Sequence, residues 1–222
     1  MTAKKANTKK NTSAQDILSF YMNWVLEHNQ KPESVYQFCK ELGINEGDFY
    51  QYYASINALE KGVWNGFYDN AMGMLEKDSA FANYGNREKL LSFYYTFVEL
   101  LNLNRSYVLF VTDEGQAGLK DMSQLKGLRS RIKTFAKGLI EEANEDKKLR
   151  VSKRSPEVFS EGAWLQLLLI VKFWLEDESA GFEKTDVFIE KSVNTVFDLF
   201  ETTPIEKVLD LGKFLWQERM AR

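Results

Sequence analysis

The residues best suited to chemistry are scarce in this chain of 222: it carries one histidine, His28, and one cysteine, Cys39. A zinc site needs several His, Cys or carboxylate ligands at set spacing. An acyl-transfer triad needs a histidine held between a nucleophile and an acid. A two-histidine metal site cannot be built from one histidine. A lone cysteine forms no intramolecular disulfide and no Cys-based metal site. Neither a Gly-rich phosphate loop nor a nucleophile elbow is present in the sequence. The residue types therefore predict a protein that is not an enzyme and uses no metal and no cofactor.

What remains for recognition is charge and aromatic surface. Lys4, Lys5, Lys9 and Lys10 fall in the first ten residues, which hold no acid, while the whole chain has a net charge of −3. The tail reads either as a nucleic-acid arm or as a solvated, disordered leader. A second basic run, Lys147, Lys148, Arg150, Lys153 and Arg154, sits beside Glu141, Glu142, Glu145 and Asp146. It reads as a solvated connection of mixed charge. Arg105, Asp113 and Glu114 either orient a polar ligand group or face solvent.

The elements that must position these groups are helical. Only three prolines interrupt a chain that is 44% hydrophobic, and its apolar residues recur at helical spacing. The longest apolar run, Leu167 to Val171, is far shorter than the roughly 18 residues of a membrane span. No signal-peptide pattern follows the lysines, so a cytoplasmic location is expected. Ser13 and Asp16 make a capping-box-like start for a first helix that ends near His28. Val35, Phe38, Cys39 and Leu42 mark one face of a second helix, which Gly43 terminates. Asn45 is placed to cap a short third helix reaching about Tyr52. Helix, glycine turn and short helix together are the helix-turn-helix pattern. Further helices are predicted over about 56–77, up to Leu101, 123–146, 157–176 and 185–200. A last one is expected after the Thr203-Pro204-Ile205-Glu206 capping box, with Ile205, Val208, Leu209, Leu215 and Trp216 on one face. Residues 105–121 give no clear pattern.

The stretch from Ser34 to Leu59, SVYQFCKELGINEGDFYQYYASINAL, resembles the head of the TetR family of bacterial transcriptional regulators. Ser34 matches the cap of the second helix, Phe38 and Cys39 the apolar-small pair, and Gly43-Ile44-Asn45 the turn. Gly47, Phe49, Tyr50, Tyr52 and Tyr53 match the recognition helix and its exit. The resemblance implies an all-α, TetR-like fold: a three-helix helix-turn-helix head joined by a long fourth helix to a helical-bundle body. On this reading residues 1–12 are a disordered basic arm, 13–55 the head, and 56–222 the ligand-binding and dimerisation body.

What the resemblance implies for sites follows the docking geometry of such heads, in which the third helix enters the major groove of double-stranded DNA. Ser34, Tyr50 and Tyr52 would contact phosphates. Glu46, Gly47, Asp48 and Gln51 would face base edges, and Lys4, Lys5, Lys9 and Lys10 would track backbone or minor groove. An apolar small-molecule effector would lie among Trp64, Phe67, Phe93, Phe97, Phe110, Trp164 and Leu168. A homodimer would pair through Val171, Trp174, Ile189, Val193, Val196 and Phe197. The aromatic residues are equally the natural filling of a monomer core.

One departure from the family bears on function. Residues 13–60 hold Lys31 and Lys40 against Asp16, Glu27, Glu33, Glu41, Glu46, Asp48 and Glu60. Ile56 stands where many members place a phosphate-contacting lysine. Phosphate attraction dominates DNA affinity, yet Glu46 and Asp48 are also able to accept from a cytosine amino group. Two functions follow. The first is a ligand-responsive, dimeric, DNA-binding regulator. The alternative is a TetR-fold protein that has given up DNA and binds or senses a lipid or other apolar small molecule.

Overall fold

The computed structural model describes residues 12–113, 123–145 and 155–202. Lys4, Lys5, Lys9, Lys10, Glu114, the Lys147–Arg154 run and the helix expected after Thr203 fall outside these residues. Among the described residues every regular element is helical: α1 (Ala14–His28), α2 (Val35–Leu42), α3 (Glu46–Tyr50), α4 (Ile56–Leu75), α5 (Asn86–Leu103), α6 (Arg105–Asp113), α7 (Lys126–Glu145), α8 (Pro156–Glu176) and α9 (Glu183–Thr202). The all-α, TetR-like architecture read from the sequence is the one observed.

Local chemistry sets the helix ends. Ser13 and Asp16 form a full capping box at α1: Asp16 N donates to Ser13 Oγ at 3.2 Å, and Ser13 N to Asp16 Oδ2 at 2.9 Å. Ser34 caps α2 through Gln37 N, and Gly43 ends it at φ +80°, in the left-handed region that glycine adopts without a Cβ clash. Asn45 occupies the N-cap position of α3, but its side chain makes no capping hydrogen bond. Pro156 opens α8 with Ser155 as cap, one residue before the start predicted from the sequence. The unclear region 105–121 contributes α6.

The chain divides into two compact units. The first takes described residues 12–67, 103–113 and 123–127; the second takes 68–102, 128–145 and 155–202. The boundary falls inside α4, so the unit holding the helix-turn-helix also holds α6 and the start of α4.

The first unit packs around rings. Phe38 is fully buried and meets Phe20, Tyr21 and Phe49 edge-on at 5.3, 6.1 and 5.9 Å. T-shaped contacts place a positive ring edge on a negative face, which adds to area burial. Ile17, Leu18, Val25 and Leu59 close the core. Glycine lets α4 approach: a Cβ on Gly62 would lie 2.7 Å from Tyr53 Cε1, and one on Gly66 would lie 3.3 Å from Leu18 Cδ1.

In the second unit, Tyr94 donates from its buried hydroxyl to the Ala163 carbonyl at 2.8 Å, tying α5 to α8. Trp174 Nε1 donates to Asn102 Oδ1 at 2.6 Å. Glu161 of α8 takes both Arg129 and Lys133 of α7, and Glu157 takes Lys137. Asp177 binds the start of α9, accepting from Thr185 N at 2.9 Å and Thr185 Oγ1 at 2.7 Å. By length and composition α8 is apolar enough to cross a membrane, but half of that window is buried inside the protein, as in a core helix.

Candidate nucleic-acid interface

The helix-turn-helix of the first unit is built from α2, the Gly43 turn and α3. Phe49 is the only fully buried side chain of α3, and it anchors the helix on Phe38. The other α3 positions are thereby turned outward. Tyr50 is 52% exposed and Tyr52 46% exposed, and Gln51 is exposed. Tyr53 is half-buried against Phe49, and burial raises its hydroxyl pKa above the usual tyrosine value. The four aromatic residues of the recognition segment thus split by role. Phe49 and Tyr53 close the core, while Tyr50 and Tyr52 present hydroxyls to solvent.

Glu46 and Asp48 lie in the first turn of α3, where carboxylates favour the positive end of the helix dipole. Both are partly exposed, and neither has a lysine or arginine in ion-pair reach among the described residues. Their field reaches the core: the Cys39 thiol is pushed up to about 11, first by burial and then by Glu46 and Asp48. Cys39 is therefore a packing residue. Ser34 uses its hydroxyl on the α2 cap and is exposed, so the same group that ends the helix stands at the surface.

The head's cations are fewer than the sequence count implies. Lys31 is committed to Glu60, with Nζ 3.1 Å from Oε1. Glu60 is only 4% exposed and also accepts from Tyr21 Oη at 2.9 Å, while Gln124 Nε2 stands 3.5 Å from Oε2. This buried node joins α1, the α1–α2 connection, α4 and residue 124. The sequence reading missed it, counting Glu60 as one more surface acid. Its only sequence signal is a glutamate directly after Leu59 at the core-facing start of α4. His28 stacks on Trp24 at 4.0 Å and stands 3.7 Å from Glu41, which accepts from Trp24 Nε1 at 2.6 Å. The single histidine therefore belongs to the α1–α2 contact.

The remaining expected site residues distribute over both units. Trp64 and Phe67 are buried in the first unit, meeting edge-on at 5.8 Å, and Phe110 there is half-buried. Phe93, Phe97 and Trp164 are buried in the second unit, with Leu168 half-buried. Phe93 lies at the centre of a ring cluster with Tyr68, Tyr94, Phe97 and Phe135. Val171, Trp174, Ile189, Val193 and Phe197, expected at a pairing face, are buried within the second unit, and Val196 is half-buried. The large apolar side chains that α8 and α9 leave in water are Leu165, Leu169, Val187 and Leu199.

Arg105 is partly exposed at the start of α6. No cluster of three or more metal-ligating side chains occurs among the described residues.

Comparison with curated proteins finds no match. Residues 89–215, more than half of the chain, match the family model described as the tetracyclin repressor-like C-terminal domain. With a helix-turn-helix ahead of that domain, the chain belongs to the TetR family.

Proposed function

We propose that the chain is a ligand-responsive DNA-binding regulator of TetR type that acts as a dimer. The observation that carries this reading is the outward-facing recognition segment: α3 is anchored through Phe49 alone and offers Gln51, Tyr50 and Tyr52 to solvent. Tyrosine hydroxyls and helix-cap serines are donors to phosphate oxygens, which fix register on a duplex. Base readout falls to Gln51, which pairs with adenine, and to Glu46 and Asp48, which accept from cytosine.

Pairing of two copies uses the apolar surface left on α8 and α9 by Leu165, Leu169, Val187 and Leu199. The buried residues Val171, Trp174, Ile189, Val193 and Phe197 support those helices from within. An apolar effector in the aromatic body favours one spacing of the two heads. It must bind that state better than the other, or it shifts nothing. Spacing matters because half-sites lie about one helical turn apart.

A second reading has its own observation. Lys31 is spent on Glu60, and Glu46 and Asp48 stand without a cation. A head so short of positive charge suits a TetR-fold protein that has left DNA and binds a lipid or other apolar molecule.

The deciding experiment is capture of sheared genomic DNA by the purified protein at low and physiological salt. Recovery of one or a few loci at physiological salt, lost in Tyr50→Phe with Tyr52→Phe, is expected for the regulator. Recovery of nothing at either salt overturns it in favour of the lipid reading. Mass spectrometry of small molecules bound to the protein then tests that second reading.

A further inference from the structure

We propose that the basic N-terminal arm, residues 1–12, folds back onto the outward face of α3 in its own chain and covers the recognition surface while no DNA is bound. The face consists of two acid–tyrosine couples. Glu46 and Tyr50 are four residues apart and share one side of the helix. Asp48 and Tyr52 repeat the spacing one step on.

Both tyrosines are about half exposed, and Glu46 and Asp48 have no cation in ion-pair reach among the described residues. Elsewhere the pattern differs: Glu60, Asp69, Glu142, Glu157, Glu161 and Asp198 each take a lysine or arginine. The carboxylates of α3 are thus left open beside exposed rings that attract ammonium groups through their faces.

The occupant is fixed by charge and by reach. Lys4, Lys5, Lys9 and Lys10 are the only charged side chains in the first ten residues. The arm is rooted at Ser13, the cap of α1. Leu18, a turn and a half further on, and Tyr53, at the exit of α3, both crowd the same point of α4, the Cβ position of Gly62. The arm therefore starts beside the recognition segment. Nine residues separate Lys4 from Ser13, and an extended chain covers about 30 Å over that length.

The docked arm makes the head its own competitor. DNA must offer the lysines more than Glu46 and Asp48 do, so isolated phosphates are rejected and a site with base contacts is accepted. Docking itself does not depend on the DNA reading: the same surfaces would meet in a head that binds no DNA.

Zero-length carbodiimide cross-linking of the full-length protein, without DNA, tests this. Cross-links are mapped by peptide mass spectrometry at low salt and at 0.5 M salt. The Lys137–Glu157 pair, 3.0 Å apart, serves as the internal reference. Links from the arm lysines to Glu46 or Asp48 are expected at low salt, reduced at least fivefold at 0.5 M. They should vanish in the Glu46→Gln/Asp48→Asn variant with helical content unchanged. A mixture of isotope-labelled and unlabelled protein should give these links within one copy. The proposal is overturned if the reference link forms and no arm–α3 link does. It is also overturned if the links join different copies, or if the arm reacts equally with the exposed Glu183 and Glu190.

Discussion

The Tyr21 hydroxyl donates to Glu60 Oε1 over 2.9 Å, across 39 residues of sequence, inside the core of the first unit. The same carboxylate holds Lys31, whose side chain is partly in water. Removing one partner of such a node leaves the others desolvated and unpaired. Glu60→Ala should therefore cost about 2 kcal/mol and Tyr21→Phe about 1 kcal/mol. Urea denaturation of the full chain measures both. Equal stability of Glu60→Ala and the parent would show that the node contributes nothing.

The glycines of the long helices separate by what surrounds them. Gly73 and Gly138 have nothing within 4 Å of a new Cβ. Replacing either with alanine should stabilise by about 0.5–1 kcal/mol, because alanine loses less backbone freedom on folding. Gly62→Ala should do the opposite, since its Cβ meets the Tyr53 ring at 2.7 Å. Thermal melts of the three variants check the signs. A stabilised Gly62→Ala would mean that the Tyr53 ring moves aside freely.

Cys39 predicts both a reactivity and a pH dependence. Its thiol is held near 11 in the fold against an ordinary value of 9.0, through burial and the two α3 carboxylates. At pH 8 a disulfide reagent should modify it only as fast as the head opens, since the thiolate is the nucleophile. The folded state keeps its proton where the unfolded chain has lost it. This group's contribution to stability therefore falls between about pH 9 and pH 11. Prompt labelling at the rate of a free thiol would contradict the burial.

Asp177 works in the other direction. Hydrogen bonds from Ser179, and then from Thr185, hold its carboxyl far below the usual aspartate range, against the effect of burial. A depressed folded pKa gives stability that is present above the unfolded value and lost as the pH falls through the folded one. Asp177→Asn should lower the melting temperature at pH 7, and the gap to the parent should narrow from pH 4 downward. A gap that stays constant to pH 2 would remove the carboxylate's charge from the explanation.

The exposed leucines of α8 give a test of pairing. Leu165 is 58% exposed and Leu169 57% exposed, one turn apart on the helix. Leu165→Glu with Leu169→Glu should turn a dimer into a folded monomer, since a charge in an apolar interface has no water to solvate it. Light scattering with chromatography reads the mass, and circular dichroism confirms the fold. An unchanged dimer would place the interface elsewhere.

The sequence by itself determined what depends on near neighbours. Helix ends at Ser13, Ser34 and Gly43 follow from the cap and turn preferences of those residue types. The helical period followed Phe38 and Cys39 into the core, and the Ser34–Leu59 pattern was sufficient to indicate the family. These features are set within four or five residues along the chain, where backbone geometry fixes which groups meet. Tertiary structure alone decided the rest. It sent Glu60 inward to Tyr21 and Lys31, removing both charges from the head's surface balance. It divided the aromatic residues of α3 between core and solvent, and turned Trp174 and Val193 inward while leaving Leu165 and Leu169 outside. A hydrophobic stripe tells which residues must be covered; it does not tell by what. That choice belongs to contacts between residues dozens of positions apart, whose pairing no local spacing encodes.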